Sequence, residues 1–411
     1  MSNSLTIWLL QTGEPLHIDE GNPRPMRAMN LADALIASGH KVVIWTSSFY
    51  HQEKRHRSAG FQSIRVNGNL TINLIPSPGY KNNIGLGRLY DHALLARNLA
   101  KLLSTGAYSR PDIAFVGYPP IECSAVMLRW LKRRCVPSVL DVKDQWPTLF
   151  IEPFPKFLKP LARIAFSPYY YFARRAFKDA TAYCSMSQGY LDWMASFSGR
   201  CLNSQDIVVP LTLQRSDISE VSLSNARAWW ESSGVSVSTN RRFCFVGSFM
   251  SVFDFSIIRD VAARFQEEGI ECQFVICGDG GSAVEIRSLM DGLKNVVFPG
   301  WIDEPQKTVL SQCSIGALIP YKNIENFTLN TPNKVLDALA HGLPILTTLT
   351  GELQNLVESE EVGFACNRST GRDLYTSMKS LLENADLQSA MSARALALFE
   401  RRFSFDKAYG E

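Results

Sequence analysis

Apolar positions in the first third of the chain alternate between strand and helix periodicity. The runs Leu5–Leu10 and Val42–Trp45 predict two buried strands, and Pro25–Ser38 between them predicts an amphipathic helix that stops at Gly39. The apolar stripe of that helix is Ala28, Leu31, Ala32 and Leu35. Strand, helix and strand in this order form a βαβ unit, which favours a parallel sheet.

The alternation continues and then restarts after a serine-rich polar stretch between Ser222 and Ser236. Further strands are predicted at 72–75, 113–116 and 138–142, and further helices at 86–103 and 121–133. Beyond the polar stretch, RFCFVG at 242–247 opens a second series of strands and helices. We therefore predict an α/β chain with two Rossmann-like parallel-sheet domains, residues 1–210 and 211–385.

Composition and charge narrow the class of protein. The chain has 411 residues, 46% of them hydrophobic and 20% charged, which suits two globular domains. A net charge of +3 does not favour binding to nucleic acid. Nine cysteines without a CxxC pair indicate a reducing compartment. Because no signal peptide and no long apolar segment is recognisable, we expect a cytoplasmic protein.

The segment TPNKVLDALAHGLPILTT, residues 331–348, carries the most informative chemistry. It predicts a helix that begins at Pro332 or Asn333, with Lys334 in the first turn and Asp337 nearly one turn later. A helix N-terminus attracts a diphosphate, a lysine adds charge, and a carboxylate can bind ribose hydroxyls. A solvated i, i+3 ion pair on a surface helix explains the same spacing equally well.

This segment closely resembles the donor-site signature of retaining glycosyltransferases of GT-B fold, family four, in which a helix PxKxx(E/D)xxAxGxP binds the nucleotide. The resemblance implies that Asp337 binds the ribose and that Lys334 lies near the pyrophosphate. It spans nearly the whole chain and is most specific between Pro320 and Pro344. It implies two domains facing an interdomain cleft, the first for the acceptor and the second for the nucleotide sugar. We expect the C-terminal helix, 386–411, to pack back toward the N-terminal domain.

Other parts of the second domain follow the family's order. Gly247 and Ser248, after the strand FCFV, resemble the loop whose backbone approaches the diphosphate. Gly278 and Asp279 in CGDG resemble the turn after the next strand, and Val296–Trp301 resembles the loop beside the base. A lone GDG is more often a plain turn.

The first domain contributes candidate residues for the acceptor and the cleft. The segment EPLHIDEGNPRPMRAMNLADALIASGHK resembles the family's first loop and helix, and the segment VLDVKDQWPTLF resembles the DxWP loop of enzymes that build bacterial surface polysaccharides. The candidate residues are Gly21, Arg24, Arg27, Asp141 and Asp144. The arginines can equally be ordinary surface residues at a helix start, and a strand-end aspartate can cap a turn.

Two departures from the family concern the diphosphate. The stretch GSFMSVFDFSII lacks the usual basic residue before Arg259, and Leu329 stands where the first of two spaced glutamates is expected. The remaining charge is that of Lys334, assisted by Arg259 or by an arginine of the first domain. Because the sequence has no DxD motif, we expect no metal and no other cofactor. Asp144 and Lys334 are the predicted catalytic residues.

The segment 154–178 has no acidic residue and combines eight aromatic residues with six basic ones. The basic residues are Lys156, Lys159, Arg163, Arg174, Arg175 and Lys178. This composition suits an anionic membrane surface, so a lipid-linked acceptor and a peripheral position at the inner face of the plasma membrane follow. The alternative is a helical pair whose aromatic side chains pack into the domain core.

The predicted activity is transfer of a sugar from a nucleotide-sugar donor to a saccharide acceptor, with retention of configuration, in the synthesis of O-antigen, capsule or exopolysaccharide. A nucleotide-sugar epimerase of the same fold is an alternative. A binding or scaffold protein that has lost catalysis is another, suggested by the missing basic residue of the phosphate loop. An epimerase needs only the donor, whereas a scaffold protein binds nucleotide weakly or not at all.

Overall fold

The computed structural model describes residues 4–21, 23–83, 85–152, 154–215, 217–366 and 373–410. The chain divides into two compact units, one ending at Pro210 and the other running from Leu211 to Tyr409. Each unit is a parallel sheet with helices packed against it. This α/β architecture confirms the predicted fold class of two Rossmann-like domains.

The first unit contains ten strands and six α-helices in its described residues. Its strands are β1 Thr6–Leu10, β2 Lys41–Ser47, β3 Phe49–Tyr50, β4 Arg55–His56, β5 Gln62–Arg65, β6 Leu70–Ile75, β7 Ile113–Tyr118, β8 Ser138–Val142, β9 Ala182–Ser185 and β10 Ile207–Val208. Its helices are α1 Arg27–Ala37, α2 Leu86–Ser104, α3 Ile121–Lys132, α4 Lys159–Ala165, α5 Ser167–Asp179 and α6 Gln188–Ser198.

The main sheet of this unit has the order β10-β9-β8-β7-β1-β2-β6-β5. Only β5 runs antiparallel to its neighbour among the described strands of this sheet. Leu9, Val116 and Leu140 at its centre are completely buried, as expected for parallel strands covered by helices on both faces. The strand order reverses between β1 and β7, and ligands of such sheets bind at the carboxyl ends of the strands beside this switch.

The second unit contains six strands and ten α-helices in the part of the chain described. Its strands are β11 Arg242–Val246, β12 Gln273–Cys277, β13 Val296–Gly300, β14 Gly316–Ile319, β15 Ile345–Thr347 and β16 Gly363–Ala365. Its helices are α7 Glu220–Ser232, α8 Phe255–Glu267, α9 Ala283–Leu289, α10 Glu304–Gln312, α11 Glu325–Thr328, α12 Asn333–Ala340, α13 Glu352–Ser359, α14 Leu374–Glu383, α15 Ala385–Leu398 and α16 Phe405–Tyr409.

The sheet of the second unit is parallel throughout its described strands, in the order β13-β12-β11-β14-β15-β16. Its switch point therefore lies between β11 and β14. Phe243, Ile276 and Ile345 on three of the strands are completely buried in one continuous core. The carboxyl ends of β11 and β14 are thus the first place to look for a ligand site.

Three sequence-based expectations need correction. Helix α1 begins at Arg27 and not at Pro25, because Met26 before it has an extended backbone. The serine-rich stretch contains helix α7, which buries Leu223, Ala226 and Trp230 at helical spacing. The second unit also continues past residue 385, since α15 packs against α12 and α14 of the same unit. Many serines concealed the apolar face of α7.

Seven of the nine cysteines are buried, whereas Cys135 and Cys201 are exposed, and none forms a disulfide. Within the described residues, no helix is both long enough and apolar enough to cross a bilayer.

Candidate functional site

Lys334, in the first turn of α12, points into the loop that follows β11. Its Nζ donates a hydrogen bond of 2.6 Å to the carbonyl oxygen of Val246, the last residue of that strand. Gly247 comes next, with a φ of +148°. A Cβ atom at this glycine would lie 1.5 Å from Lys334 Nζ. The lysine can therefore reach the phosphate-loop candidate only because residue 247 has no side chain.

Two neighbouring loops pack backbone against backbone at this strand edge. Gly247 N donates to the carbonyl oxygen of Cys277, and a Cβ at Gly278 would lie 2.0 Å from the carbonyl oxygen of Gly247. Ser248 and Asp279 are exposed at this edge, and Asp279 Oδ1 accepts a hydrogen bond from the amide of Gly280. The structure thus brings the four loop candidates together.

Burial sets the protonation behaviour of Lys334. Desolvation lowers its pKa to about 8, although the carboxylate of Asp337 acts in the opposite direction. Its Nζ lies 4.6 Å from the ring centroid of Phe245 and 5.3 Å from that of Phe253. A half-buried ammonium with few polar neighbours gains more from an added anion than a solvated lysine does.

Pro332 and Asn333 frame the start of the same helix. Pro332 is buried and occupies the N-cap with an extended backbone, while Asn333 is the first helical residue and is exposed. No acidic residue lies in the first turn of α12. The positive end of the helix therefore faces the same edge as Lys334 and Gly247.

Asp337 is paired with a lysine that the sequence analysis did not identify. Lys307 Nζ on α10 lies 2.8 Å from Asp337 Oδ1 and 2.7 Å from Glu304 Oε2. Lys307 and Asp337 line a cavity of about 50 Å³ together with Lys334. Since 30 residues separate Lys307 from Asp337, no local spacing pattern signals the contact.

A second lysine lies at the phosphate-loop candidate. Lys322, after β14, donates from its backbone to Val252 O at 2.9 Å and from Nζ to Ser251 O at 2.7 Å. Its side chain is exposed. Arg259, in contrast, is paired with the adjacent Asp260 at 2.9 Å. Lys322 therefore contacts the loop after β11, whereas Arg259 is paired with its neighbour in α8.

In the first unit, a polar cavity of about 180 Å³ lies at the switch point of the sheet. The residues after β1 and after β8 line it, among them Glu14, Lys143 and Asp144. Glu14 is buried and accepts hydrogen bonds from Gln11, from Lys143 and, at 2.8 Å, from the amide of Ala28 in α1. Asp144 is half-buried on the wall of this cavity.

Arg27 and Asp141 do not fit the prediction that they contact an acceptor. Both are buried, and Arg27 Nη2 lies 2.8 Å from Asp141 Oδ1. Arg27 Nη1 also donates to the carbonyl oxygen of Val209 at 2.6 Å. The pair fixes α1 to the end of β8, and neither residue lines the polar cavity. Gly21 and Arg24 are exposed on the loop before α1.

Two neutral histidines form another wall of the polar cavity. Burial lowers the pKa of His51 to about 4 and that of His92 to about 3, and the charge of Arg88 acts in the same direction. Asp91 is buried beside them, where desolvation raises its pKa. Its Oδ1 accepts hydrogen bonds from Ser77 and, at 2.7 Å, from the amide of Gly79.

The basic aromatic segment does not fold all its aromatic side chains into the core. Phe157, Tyr171 and Phe172 are 79%, 59% and 50% exposed, while Phe177 is buried. Arg163 on α4 and Arg174 on α5 are exposed as well. Phe154 is also exposed, at 39%, so the interpretation in which all eight aromatic residues pack into the core is wrong for four of them. The described residues contain no cluster of three potential metal ligands.

Comparison with known families covers most of the chain. Residues 26–209 match the family described as a glycosyl transferase 4-like domain. Residues 240–384 match the family of group 1 glycosyl transferases. The two matches follow each other in the order of the two units.

Individual proteins resemble the chain at low identity. The O-antigen chain mannosyltransferase C of Escherichia coli is 25% identical over 204 residues, so the chain spans about half the length of this curated relative. That match covers 49% of this chain and 51% of the relative.

Similarity to solved structures extends over both units. Sucrose-phosphate synthase of Thermosynechococcus elongatus has a TM-score of 0.68 at 14% identity, with 98% of this chain and 96% of that protein covered. HepE of Anabaena, solved in complex with UDP-glucose, has a TM-score of 0.64 at 14% identity over 99% and 97% of the two chains.

Proposed function

We propose that this chain, which belongs to the glycosyltransferases of GT-B fold, transfers a sugar from a nucleotide-sugar donor to a saccharide acceptor with retention of anomeric configuration. The observation that carries the proposal is the approach of Lys334 Nζ to Gly247, with Asp337 one turn further along α12. Fixed positive charge, a helix N-terminus and a carboxylate then lie together at the switch point of the second sheet.

The donor's diphosphate would bind across the loop after β11. Lys334 in α12 and Lys322 after β14 supply positive charge beside this loop. The amides at the start of α12 add hydrogen-bond donors. Asp337, held by Lys307, accepts hydrogen bonds from the ribose hydroxyls. HepE was solved with UDP-glucose, which supports a nucleotide sugar as the donor.

Transfer breaks the bond between the anomeric carbon and the diphosphate, whose oxygen takes the electron pair. The acceptor oxygen forms the new bond on the same face, and its proton passes to an oxygen of the leaving phosphate. Lys334 stabilises the charge that develops on this leaving group. Asp144, on the wall of the polar cavity, orients the acceptor hydroxyl. In this scheme the charge is neutralised by protein groups, without a metal.

The mannosyltransferase relative is named for an O-antigen chain, and this supports a role in the synthesis of a bacterial surface polysaccharide. Such an acceptor would be linked to lipid. The exposed aromatic and basic side chains of α4 and α5 would hold the protein at the inner face of an anionic membrane, where each basic residue contributes about 1 kcal/mol.

The donor site is tested by thermal unfolding of the purified chain with UDP, GDP, dTDP or CMP and without added metal. At roughly 100 times its dissociation constant, the correct nucleotide raises the free energy of unfolding by about 2.7 kcal/mol. Asp337→Ala should abolish this rise, whereas Asp291→Ala, an exposed position of the same unit, should keep it. A wild-type protein that responds to none of the four nucleotides contradicts the proposal.

Membrane contact is tested by sedimentation with vesicles of phosphatidylglycerol and phosphatidylcholine. Replacing Arg163, Arg174 and Arg175 by Gln should release the protein from the vesicles. Replacing Arg65, Arg97 and Lys101 by Gln removes the same charge from other exposed sites of the first unit and should leave binding intact. Equal binding by the two triple variants would exclude a specific role for the basic residues of α4 and α5.

A further inference from the structure

Two adjoining cavities of the first unit share one cationic side chain. The polar cavity, with Lys143 and Asp144 on its wall, has a volume of about 180 Å³. The second cavity, here called the apolar cavity, has a volume of about 490 Å³. Arg88, in the first turn of α2, lines both of them. Any ligand that extends from one cavity into the other must pass this guanidinium.

The apolar cavity is built from side chains that offer almost no hydrogen bonds. Its apolar lining residues are Leu86, Leu89, Trp146, Leu149, Phe150, Phe154 and Phe166. Its volume lies within the range of about 300–1,000 Å³ that is typical of small-molecule sites. Leu86 is 82% exposed, so the lining continues to the protein surface. Both Phe154 and Phe166 belong to the basic aromatic segment, so this segment contributes part of the wall.

Arg88 is only partly satisfied by the protein, although its side chain also forms a hydrogen bond with that of Tyr80. Its Nε is buried and has no hydrogen-bond acceptor in the described part of the chain. Nη1 donates to the carbonyl oxygen of Asn83 at 3.0 Å, and the guanidinium lies 4.8 Å from the ring centroid of Trp146. No carboxylate in the described ranges forms a salt bridge with it. A buried N–H group without an acceptor calls for an anionic ligand.

The start of α2 adds to this attraction. The N-cap residue is Gly85, which has no side chain to cap the helix, and the first turn holds no acidic residue. Because α2 is 19 residues long, its free amide groups and its dipole favour an anion at this end. Gly85 and Leu86 both line the apolar cavity. Nearby, His51 and His92 have pKa values far below neutrality and are uncharged. The carboxyl groups of Asp91 and Glu122 interact electrostatically with Arg88, but burial raises the pKa of both.

We infer that Arg88 binds the phosphate of a lipid-linked acceptor, whose hydrocarbon chain occupies the apolar cavity and whose sugar enters the polar cavity beside Asp144. The inference rests on the proposed function and names the residues that would distinguish a lipid phosphate from a free one. Neither cavity alone explains the arrangement, since a soluble saccharide phosphate leaves the apolar cavity empty and an uncharged lipid leaves Arg88 Nε without an anionic acceptor.

The experiment is isothermal titration of the full chain with farnesyl diphosphate below its micellar concentration, compared with farnesol and with inorganic diphosphate. We expect wild type to bind farnesyl diphosphate more tightly than either of the other two. Arg88→Gln should weaken binding at least tenfold. Arg97→Gln, an exposed position on the same helix, is the matched control and should bind like wild type.

Leu149→Asp provides a second test, because it puts a carboxylate into the apolar cavity and leaves Arg88 in place. It should also weaken binding of farnesyl diphosphate. If Arg88→Gln binds as tightly as Arg97→Gln, or if inorganic diphosphate binds as well as farnesyl diphosphate, the inference is wrong.

Each variant is also titrated with the nucleotide that stabilises wild type, because the donor site lies in the other unit. A variant that keeps its nucleotide response has a folded second unit, and its first unit is folded if the buried Cys184 stays unreactive toward an alkylating reagent. If Arg88→Gln loses only the binding of farnesyl diphosphate, the loss is due to the missing guanidinium and not to unfolding. Should wild type bind farnesyl diphosphate through Arg88 and yet respond to no nucleotide, the lipid-phosphate site stands and the proposed transferase activity fails.

Discussion

Arg27 and Asp141 form a buried ion pair in which Arg27 Nε lies 2.9 Å from both carboxylate oxygens and Nη2 lies 2.8 Å from Oδ1. The side chains are 3% and 0% exposed. The guanidinium also donates to the carbonyl oxygen of Val209, near the end of the first unit. One charge pair thus connects the first helix, a central strand and the last strand region of this unit.

Removing one partner of this pair should destabilise the first unit strongly. Arg27→Met leaves a buried carboxylate without a counter-charge, which costs about 3–5 kcal/mol of unfolding free energy. Urea unfolding measures this loss of unfolding free energy, with Arg97→Met on the exposed face of α2 as the control. The double variant Arg27→Met with Asp141→Leu should lose less than the sum of the single variants. A loss below about 1 kcal/mol for Arg27→Met contradicts the structural role.

Lys334→Met should stabilise the second unit while it abolishes nucleotide binding. Desolvation lowers the pKa of Lys334 to about 8, so keeping the ammonium charged at neutral pH opposes folding. Removing it should raise the unfolding free energy by about 1–2 kcal/mol, since the lost hydrogen bond to Val246 offsets part of the gain. Thermal unfolding at pH 7 with and without nucleotide measures both effects. A destabilised variant that still binds nucleotide would contradict this account.

Nucleotide affinity should depend on pH through the same lysine. Its ammonium is charged below a pKa of about 8 in the free protein and neutral above it. Affinity for a nucleoside diphosphate should therefore be high near pH 7 and fall by roughly tenfold per pH unit well above pH 8. The decline should end where the pH exceeds the higher pKa of Lys334 in the nucleotide complex. Titrations of wild type and Lys334→Arg compare a titrating with a permanently charged residue. An identical decline in both proteins excludes Lys334 as the cause.

Gly247→Ala tests the close approach at the phosphate loop. The new Cβ would lie 1.5 Å from Lys334 Nζ, so the lysine must move, and the alanine would have an unfavourable φ of +148°. We expect at least tenfold weaker nucleotide binding. Gly281→Ala is the matched control, because nothing lies within 4 Å of its added Cβ. Equal nucleotide affinities for the two variants would show that binding does not require the close approach of Lys334 to residue 247.

The sequence predicted the βαβ order because buried strands and amphipathic helices have distinct periodicities. It also predicted α12 closely, since Pro332 and Gly342 mark its two ends. It did not reveal Lys307 or Lys322, whose contacts join helices and loops that are far apart in the chain. Arg27 was misread for a related reason. From the sequence alone, a charged residue at a helix start is expected to be exposed, but the burial of Arg27 depends on a carboxylate 114 positions away.

The buried cysteines can report separately on the unfolding of each unit. Burial raises the pKa of Cys184 to about 12 and that of Cys244 to about 12, so these thiols stay protonated and unreactive while the fold is intact. Cys135 and Cys201 should react with an alkylating reagent at once. Every later modification then records an opening event, and mapping it to one side or the other of Pro210 tells which unit has opened.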